Sequence, residues 1–331
     1  MKPWIERVKT PQGTALLIGF LVMALAPPFI RNDFYLDAFI LIFLWGSFAA
    51  SWNIISGYAG MVSLCHNAFF AIGAYTSTIL FVRYQVSPWI GLVAGGILAA
   101  IVGMLLGLIC FRLRSHYFTL ATLAFGEVIS IVSLNWRSLT NGAIGIGLPI
   151  QPSFSNMVFQ GKLPYLYIGL ALFVGVTAVS YAIERSRLGY QLTAFRENED
   201  AARALGVRTG RVRMVAMGIS CFLAAVTGSF YAQYISYIDP SSVASLKISV
   251  QVALFVIVGG IGTALGPAIG AIIFIPITMG LRAFLGSSVP GLHLIIYAVI
   301  LILVLFFVPK GVCGTLQQRF AGALNRRGSI S

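Results

Sequence analysis

The feature that most constrains this chain is a succession of long apolar runs, most of them long enough for a helix to cross the hydrocarbon core of a bilayer. Because backbone polar groups in hydrocarbon must be paired within their own segment, such runs predict helices. Ten runs can be counted, at residues 14–30, 36–55, 68–82, 89–111, 118–136, 163–183, 212–235, 248–258, 267–285 and 292–308. The third and eighth are short, with Gly73 inside the third and Gly259 directly after the eighth, so the count ranges from eight to ten.

Charged side chains are scarce. Hydrophobic residues make up 58% of the 331 residues and charged residues 9%, too few polar groups to cover the surface of a water-soluble fold. We therefore predict an all-α, polytopic integral membrane protein of about ten transmembrane helices. The first apolar run has no small-residue cleavage site after it, so we interpret it as a retained span.

Basic residues are distributed unevenly between the connecting segments. With both termini cytoplasmic, sixteen of the 22 Lys and Arg residues fall on the inner side and six on the outer, as the positive-inside rule requires. The net charge of +13 is then explained by contact with the inner headgroups of the lipid bilayer, without a nucleic-acid partner. We predict a single transmembrane domain over residues 1–311 and a cytoplasmic tail over residues 312–331.

One long charged run interrupts this apolar sequence, and we call residues 184–213 the charged segment. Within it, Asn198 has the side chain of a helix N-cap, and Glu199 and Asp200 place acids in the first turn. Gly206 suits the residue after the helix end. The pattern predicts a short cytoplasmic helix from Glu199 to Leu205.

Small side chains on this helix predict a contact surface. By the i, i+4 rule Ala201, Ala202 and Leu205 share one face, and small side chains let the surface of another protein come close.

Glycines mark a packing face and two breaks. A repeat of small residues every four positions puts a smooth stripe on the span at 89–111, typical of close helix packing, at Gly91, Gly95, Ala99, Gly103 and Gly107. Residues 259–262, followed by Pro267, predict a broken helix or a tight re-entrant turn. A second break at residues 56–60 faces the same side in this topology, so the two are either related elements of a substrate path or separate turns at the headgroups.

Glu127 lies near the middle of the fifth run, where an ionised acid costs about 3 kcal/mol on insertion scales. It must therefore face protein or water, and two interpretations stay open, a group lining a path and a helix-packing hydrogen bond. Neutral polar residues in other runs have the same two interpretations. The candidate path residues are Asn53, Ser63, His66, Glu127, Asn135 and Gln251.

Several enzymatic motifs are missing from the sequence. It has no G-x-x-x-x-G-K-[ST] phosphate loop, no H-E-x-x-H and no nucleophile with a base at helical spacing. We expect neither ATP hydrolysis by this chain alone nor catalysis, and no cofactor or metal. An ion-coupled transporter usually needs several buried acids to bind its coupling ion, and Glu127 is the only acid near the middle of an apolar run.

Short stretches resemble a known family. Asp200 to Gly206 (DAARALG) looks like the E-A-A-x-x-x-G loop of ABC importer permeases, with Asp in place of Glu. Further stretches resemble the LivM-type permeases of branched-chain amino-acid importers, at residues 52–76, 111–136, 186–206, 258–271 and 309–311. The chain departs from the family at Cys65, where Gly is usual, at Asn67, where a small residue is usual, and at residues 141–145, where a Gly-Gly-Pro-Asn-Gly-like run is usual.

The resemblance implies a permease subunit of the bacterial inner membrane. Its expected partners are a homologous second permease, two cytoplasmic ABC ATPases and a periplasmic solute-binding protein, with leucine, isoleucine and valine as solutes. Contact with the ATPases is implied for Glu197, Asn198, Glu199, Asp200, Ala201, Ala202, Leu205 and Gly206. A urea or short-amide importer, an ion-coupled secondary transporter and a membrane scaffold without transport activity remain as alternatives.

Overall fold

The structure is a computed structural model that describes residues 32–113, 115–149 and 151–285, together with Ile296, Val299 and residues 311–313. Helices and strands are numbered in chain order. The long helices within these ranges are α1 (Asp33–Asn53), α2 (His66–Tyr84), α3 (Pro88–Cys110), α4 (Ser115–Asn135), α6 (Lys162–Glu184), α9 (Thr209–Ile235), α11 (Leu246–Gly260) and α12 (Gly266–Leu285).

Short elements connect these helices. The short helices are α5 (Arg137–Thr140), α7 (Arg187–Glu197), α8 (Glu199–Ala204) and α10 (Pro240–Val243). A π-helical stretch, Ile54–Tyr58, continues α1, and a 3₁₀ turn covers Gly142–Ile144. Strands β1 (Ile146–Gly147) and β2 (Tyr237–Ile238) pair in antiparallel orientation, with Ile146 opposite Ile238.

Seven helical stretches of the described chain are long and apolar enough to span a membrane. They are Asp33–Tyr58, Pro88–Cys110, His116–Asn135, Lys162–Glu184, Thr209–Ile235, Pro240–Gly260 and Gly266–Phe284. The prediction of a multi-pass helical membrane protein is confirmed. The predicted run at 14–30, all of the run at 292–308 except Ile296 and Val299, and both chain termini lie outside the described residues. The count of about ten and the cytoplasmic termini therefore stay predictions.

The predicted run at 68–82 is a helix, α2, but does not belong to these seven. Polar residues such as His66, Asn67, Ser77 and Thr78 lower its hydropathy, and all four are buried by neighbouring helices. A helix enclosed by protein on most sides need not be apolar, because its surroundings are side chains rather than lipid.

Helix α9 packs against α1, α2 and α3 through small residues. A Cβ at Gly73 would lie 2.0 Å from the carbonyl oxygen of Ala225, and one at Gly228 would lie 2.0 Å from that of Phe70, so α2 and α9 touch through their backbones. The predicted small-residue stripe of α3 is buried along its whole length, and Gly103 faces Cys221 of α9. Its role in helix packing is confirmed.

Polar contacts collect at the end of the bundle where α1 begins. The Nζ atom of Lys162 lies 2.7 Å from a carboxylate oxygen of Asp37, and the hydroxyl of Tyr234 donates to the other oxygen of that carboxylate. Arg83, in the last turn of α2, donates to the carbonyl of Leu139 at 3.1 Å. Leu139 precedes β1, and β1 pairs with β2, which follows Tyr234 and the end of α9. The start of α1 and the end of α2 therefore lie at the same end of the bundle.

At the opposite end, the two predicted glycine breaks lie side by side. Helical structure stops after Tyr58, and residues 59–65 form a non-helical segment that leads to α2. Residues 261–265 form a tight turn, here called the interhelical turn, which joins the packed helices α11 and α12. A Cβ at Gly57 would lie 2.8 Å from the backbone nitrogen of Gly262, so the two breaks are in direct contact.

Candidate functional site

The charged segment folds into α7 and α8, each begun by a side-chain cap. Ser186 accepts from the backbone of Gly189 at 3.3 Å, and Asn198 accepts from the backbone of Ala201 at 3.0 Å. Gly206 has a φ of 84°, a left-handed conformation that favours glycine after a helix end. The predicted cap and helix are confirmed, although α8 ends one residue earlier than expected, at Ala204.

Exposure separates the residues predicted to contact a partner. Leu205, directly after α8, is 84% exposed. Most of the set is also exposed and Glu199 is half-buried; the exposed members are Glu197, Asn198, Asp200, Ala201 and Gly206.

Ala202 corrects the predicted contact surface. It is 2% exposed and buried within the chain itself, so it cannot share an open surface with Ala201 and Leu205. In a helix of six residues, tertiary packing decides which side faces inward, and the i, i+4 spacing gives no indication of this direction.

An ionic contact holds α8 against the bundle. One carboxylate oxygen of Glu199 lies 3.3 Å from Nη2 of Arg213, in the first turns of α9, and also binds Arg203. The guanidinium carbon of Arg213 lies 5.0 Å from the ring centre of Phe111 and 4.8 Å from that of Phe195. A buried arginine between two rings gains cation–π attraction, and its charge is balanced by the acid. The charged segment is therefore anchored to α3 and α9.

Asn53, a candidate path residue, joins α1 to the interhelical turn. Its side-chain nitrogen donates to the carbonyl of Thr263 at 2.9 Å, and its side-chain oxygen accepts from the backbone of Gly262 at 2.9 Å. The side chain is fully buried and uses both ends of its amide. Its observed role is to hold the turn.

Ser63 and His66 belong to one buried hydrogen-bonded chain. The hydroxyl of Ser63 lies 3.1 Å from Nδ1 of His66, and Nε2 of His66 lies 2.8 Å from the hydroxyl of Ser220 on α9. Ser220 donates in turn to the carbonyl of Ser51 at 2.6 Å. These contacts connect α1, α2 and α9 within the chain, which is the packing interpretation of the two residues.

The other three candidates lie at the surface of the chain. Glu127 is half-buried on α4 and, among the described residues, has neither a hydrogen-bond nor an ion-pair partner. Asn135 is exposed and donates to the carbonyl of Ile131 within its own helix. Gln251 is half-buried on α11. The structure therefore does not join these three to the buried group of Asn53, Ser63 and His66.

Sequence reasoning missed Asn67 as a joining residue. Its side chain donates to the carbonyl of Ala244 at 2.6 Å and accepts from the hydroxyl of Ser249 at 2.9 Å, so it ties the start of α2 to the start of α11. It also lies beside Gly126, near the middle of α4. Its departure from the small residue usual in the family was the available signal. Arg213 was missed as well, because the partners of a lone arginine are distant in sequence.

Acid, thiol and imidazole groups are dispersed. Within the described ranges no three His, Cys, Asp or Glu residues cluster closely enough to hold a metal ion. The four cysteines, Cys65, Cys110, Cys221 and Cys313, are free and buried.

Apolar helices packed into one bundle, with a charged helical segment at one end, define a multi-pass membrane protein. The family model described as the permease component of the branched-chain amino acid transport system matches residues 34–305. The chain belongs to this family, whose members are membrane transport permeases, and the resemblance to LivM-type permeases is confirmed.

Three relatives are 27–29% identical to this chain over the aligned residues. The high-affinity branched-chain amino acid transport system permease protein LivM of Escherichia coli is 29% identical over 80% of this chain and 68% of its own length. The high-affinity branched-chain amino acid transport system permease protein LivH of Salmonella typhimurium is 27% identical over 80% of this chain and 90% of its own length. The autoinducer 2 import system permease protein LsrC of Yersinia pseudotuberculosis is 27% identical, over 86% and 82%.

Proposed function

We propose that this chain is a permease subunit of an ABC importer for branched-chain amino acids in the bacterial inner membrane. It forms the path together with a second, homologous permease, and a periplasmic binding protein delivers the solute. Two cytoplasmic ATPases drive the cycle through the charged segment. The chain itself supplies no catalysis.

The observation that carries this proposal is the exposed end of α8. A capped helix that is anchored to the bundle by Glu199 and Arg213 presents Leu205, 84% exposed, at its tip. An anchored helix with an exposed apolar tip suits insertion into the groove of a partner protein, because burying that side chain stabilises the complex by about 1.5–3 kcal/mol. A loop that only connected two spans would not need this arrangement.

The solute is proposed from the relatives. LivM and LivH are both named for branched-chain amino acids, whereas LsrC, at similar identity to LivH, is named for autoinducer 2 import. LsrC is a more distant match than LivM, and the family model is described for branched-chain amino acids, so we propose these as the solutes. Asn53, Ser63 and His66 are used in contacts within the chain, so we assign substrate affinity to the binding protein.

The class of transporter is tested by reconstitution. The four-component complex consists of this chain, the second permease and the two ATPases. We expect it to accumulate leucine in vesicles only when ATP is present on the side of the ATPases and the binding protein is present on the other side. Uptake by this chain alone in vesicles without ATP would overturn the proposal in favour of an ion-coupled transporter. Co-purification with proteins that lack ATPase activity would favour a scaffold.

The solute is tested separately, by calorimetric titration of the binding protein. We expect leucine, isoleucine and valine to bind, and urea and short amides to give no heat at the same concentrations. If only urea binds, the proposed class of ABC importer stands and the proposed solute is wrong.

A further inference from the structure

Arg196 reaches from the charged segment into the contact between the two glycine breaks. It lies in the last turn of α7, and its Nη1 atom donates to the carbonyl of Gly57 at 3.1 Å. The stem of the side chain packs on Gly60, where a Cβ would lie 2.5 Å from Cγ of Arg196. At Gly262 a Cβ would lie 2.8 Å from the same Nη1 atom. One side chain therefore contacts both breaks.

Glycine is needed at both positions that face the arginine. Gly60 has a φ of 68° and Gly262 a φ of 74°, left-handed conformations that strain other residues. A side chain at either position would also displace the arginine. The backbone of both breaks is thus shaped to receive Arg196.

A second contact connects the charged segment to the interhelical turn. The carboxylate of Glu184, at the start of the segment, accepts from the backbone of Ala264 at 3.0 Å. Asn53 holds the same turn from α1. We call this group, Asn53, Gly57, Glu184, Arg196 and Ala264, the inner junction. It joins α1, the charged segment and the α11–α12 pair.

The far side of Arg196 adjoins the helix proposed to bind an ATPase. Asn198, two residues later, caps α8, and Nη2 of Arg196 lies 3.1 Å from the carboxylate of Glu197. A displacement of α8 therefore reaches the guanidinium through a short, capped connection of two residues. The helices joined by the inner junction lie in the membrane-spanning part of the chain.

We propose that Arg196 is a positioning residue that transmits displacement of the charged segment to the interhelical turn and to the end of α1. This inference rests on the proposed function and assigns the mechanical connection within it. Displacement of α8 moves the guanidinium of Arg196 toward or away from the Gly57 carbonyl. The interhelical turn, which packs on Gly57, then moves as well. Packed side chains and hydrogen bonds of this kind can carry energetic coupling between distant sites.

The test uses the reconstituted four-component complex with Arg196→Ala. We expect the variant to bind the ATPases and hydrolyse ATP as the unmodified complex does, but to move about tenfold less solute per ATP, because a hydrogen bond to a charged group is lost. Arg187→Ala is the matched control, since Arg187 is an exposed arginine at the start of the same helix. The control is expected to keep the normal ratio.

Two further measurements separate transmission from simple support of the fold. Arg196→Lys is expected to recover at least half of the solute moved per ATP that Arg196→Ala loses, because an ammonium group can also donate to the Gly57 carbonyl. Spin labels at Ile261 and Tyr237, which are 44% and 45% exposed at opposite ends of the bundle, are expected to report an ATP-dependent distance change that Arg196→Ala abolishes.

The outcomes distinguish this inference from the proposed function. If the unmodified permeases do not assemble with the ATPases and do not transport solute with ATP, the proposed function fails. If the unmodified complex transports normally and Arg196→Ala keeps its ratio of solute to ATP and its distance change, only the role of Arg196 is overturned. A lysine variant as defective as alanine would also overturn it.

Discussion

Arg213 shows how one residue can determine the position of a whole surface element. It is 6% exposed and lies between Phe111 and Phe195, with Glu199 of α8 as its acid partner. Removing the buried cation leaves Glu199 with Arg203 of its own helix as the ion-pair partner, and the two rings lose their contact with the guanidinium. The loss affects α8 more than the bundle, because α8 has few other attachments.

We therefore predict that Arg213→Ala destabilises α8 by about 1–3 kcal/mol, from the lost cation–π contacts and charge-assisted hydrogen bond. The measurement is hydrogen exchange of the α8 backbone amides, which should lose protection about 5- to 150-fold. Arg211→Ala is the control, because Arg211 is exposed two positions earlier on the same helix. Equal protection in the two variants would contradict the anchoring role.

Glu127 is the second residue on which a prediction depends. It is half-buried on α4, in a candidate membrane span, without a described partner. We predict that Glu127→Gln changes thermal stability in detergent within about 0.5 kcal/mol, as for a surface position, yet alters the rate of ATP-driven uptake or its pH dependence. Unchanged uptake would return Glu127 to the packing interpretation, and so would loss of the folded complex.

The contrast between Asn198 and Arg213 explains how much of the site could be predicted. A cap depends on residues within one turn, so the composition around Asn198 was sufficient to predict α8. The contact of Arg213 with Phe111 depends on helix packing, which the sequence alone does not provide. The direction of Ala202 and the contact of Arg196 with Gly57, 139 positions apart, were missed for the same reason.

At the scale of elements, α8 has one side fixed to the chain and one side open. The closed side holds Ala202 and Glu199, and the open side holds Ala201 and Leu205. An element with this division presents a rigid contact surface at little entropic cost on binding, because its backbone is already ordered.

We predict that Leu205→Asp leaves the chain folded and weakens association with the ATPases at least about tenfold, since a charge replaces an apolar side chain at a contact. The measurement is a titration of ATPase onto purified permease, with thermal unfolding as the check on folding. Ile144→Asp is the matched control, because Ile144 is 74% exposed at the other end of the bundle. Normal ATPase affinity of the Leu205 variant would place the contact elsewhere.

The apolar helices were predictable one by one, and α2 shows the limit of that approach. Its sequence gave a short, interrupted run, yet it forms a complete helix, because α3, α9 and its other neighbours enclose it. Hydropathy indicates how well a segment suits contact with lipid. It therefore fails to identify some helices that are surrounded by protein. The two glycine breaks were predicted individually and on the same side of the membrane, whereas their direct contact was not predicted.

For the whole molecule, the contacts sort the described loops into two ends. Asp37, Arg83 and Lys162 lie at one end, and Gly57, Arg196 and the interhelical turn lie at the other. This sorting agrees with the alternation predicted from the basic residues. The positive-inside rule predicts that the end that carries the charged segment faces the cytoplasm.

Labelling from each side of the membrane tests this assignment. Arg208 lies on the charged segment and Ser241 follows β2 at the opposite end, and both are exposed. In intact cells, Ser241→Cys should react with an impermeant thiol reagent added outside the inner membrane, whereas Arg208→Cys should react only after the membrane is opened. The native thiols are buried and should contribute little background. Labelling of both positions from outside would overturn the orientation, and with it the access of the ATPases to α8.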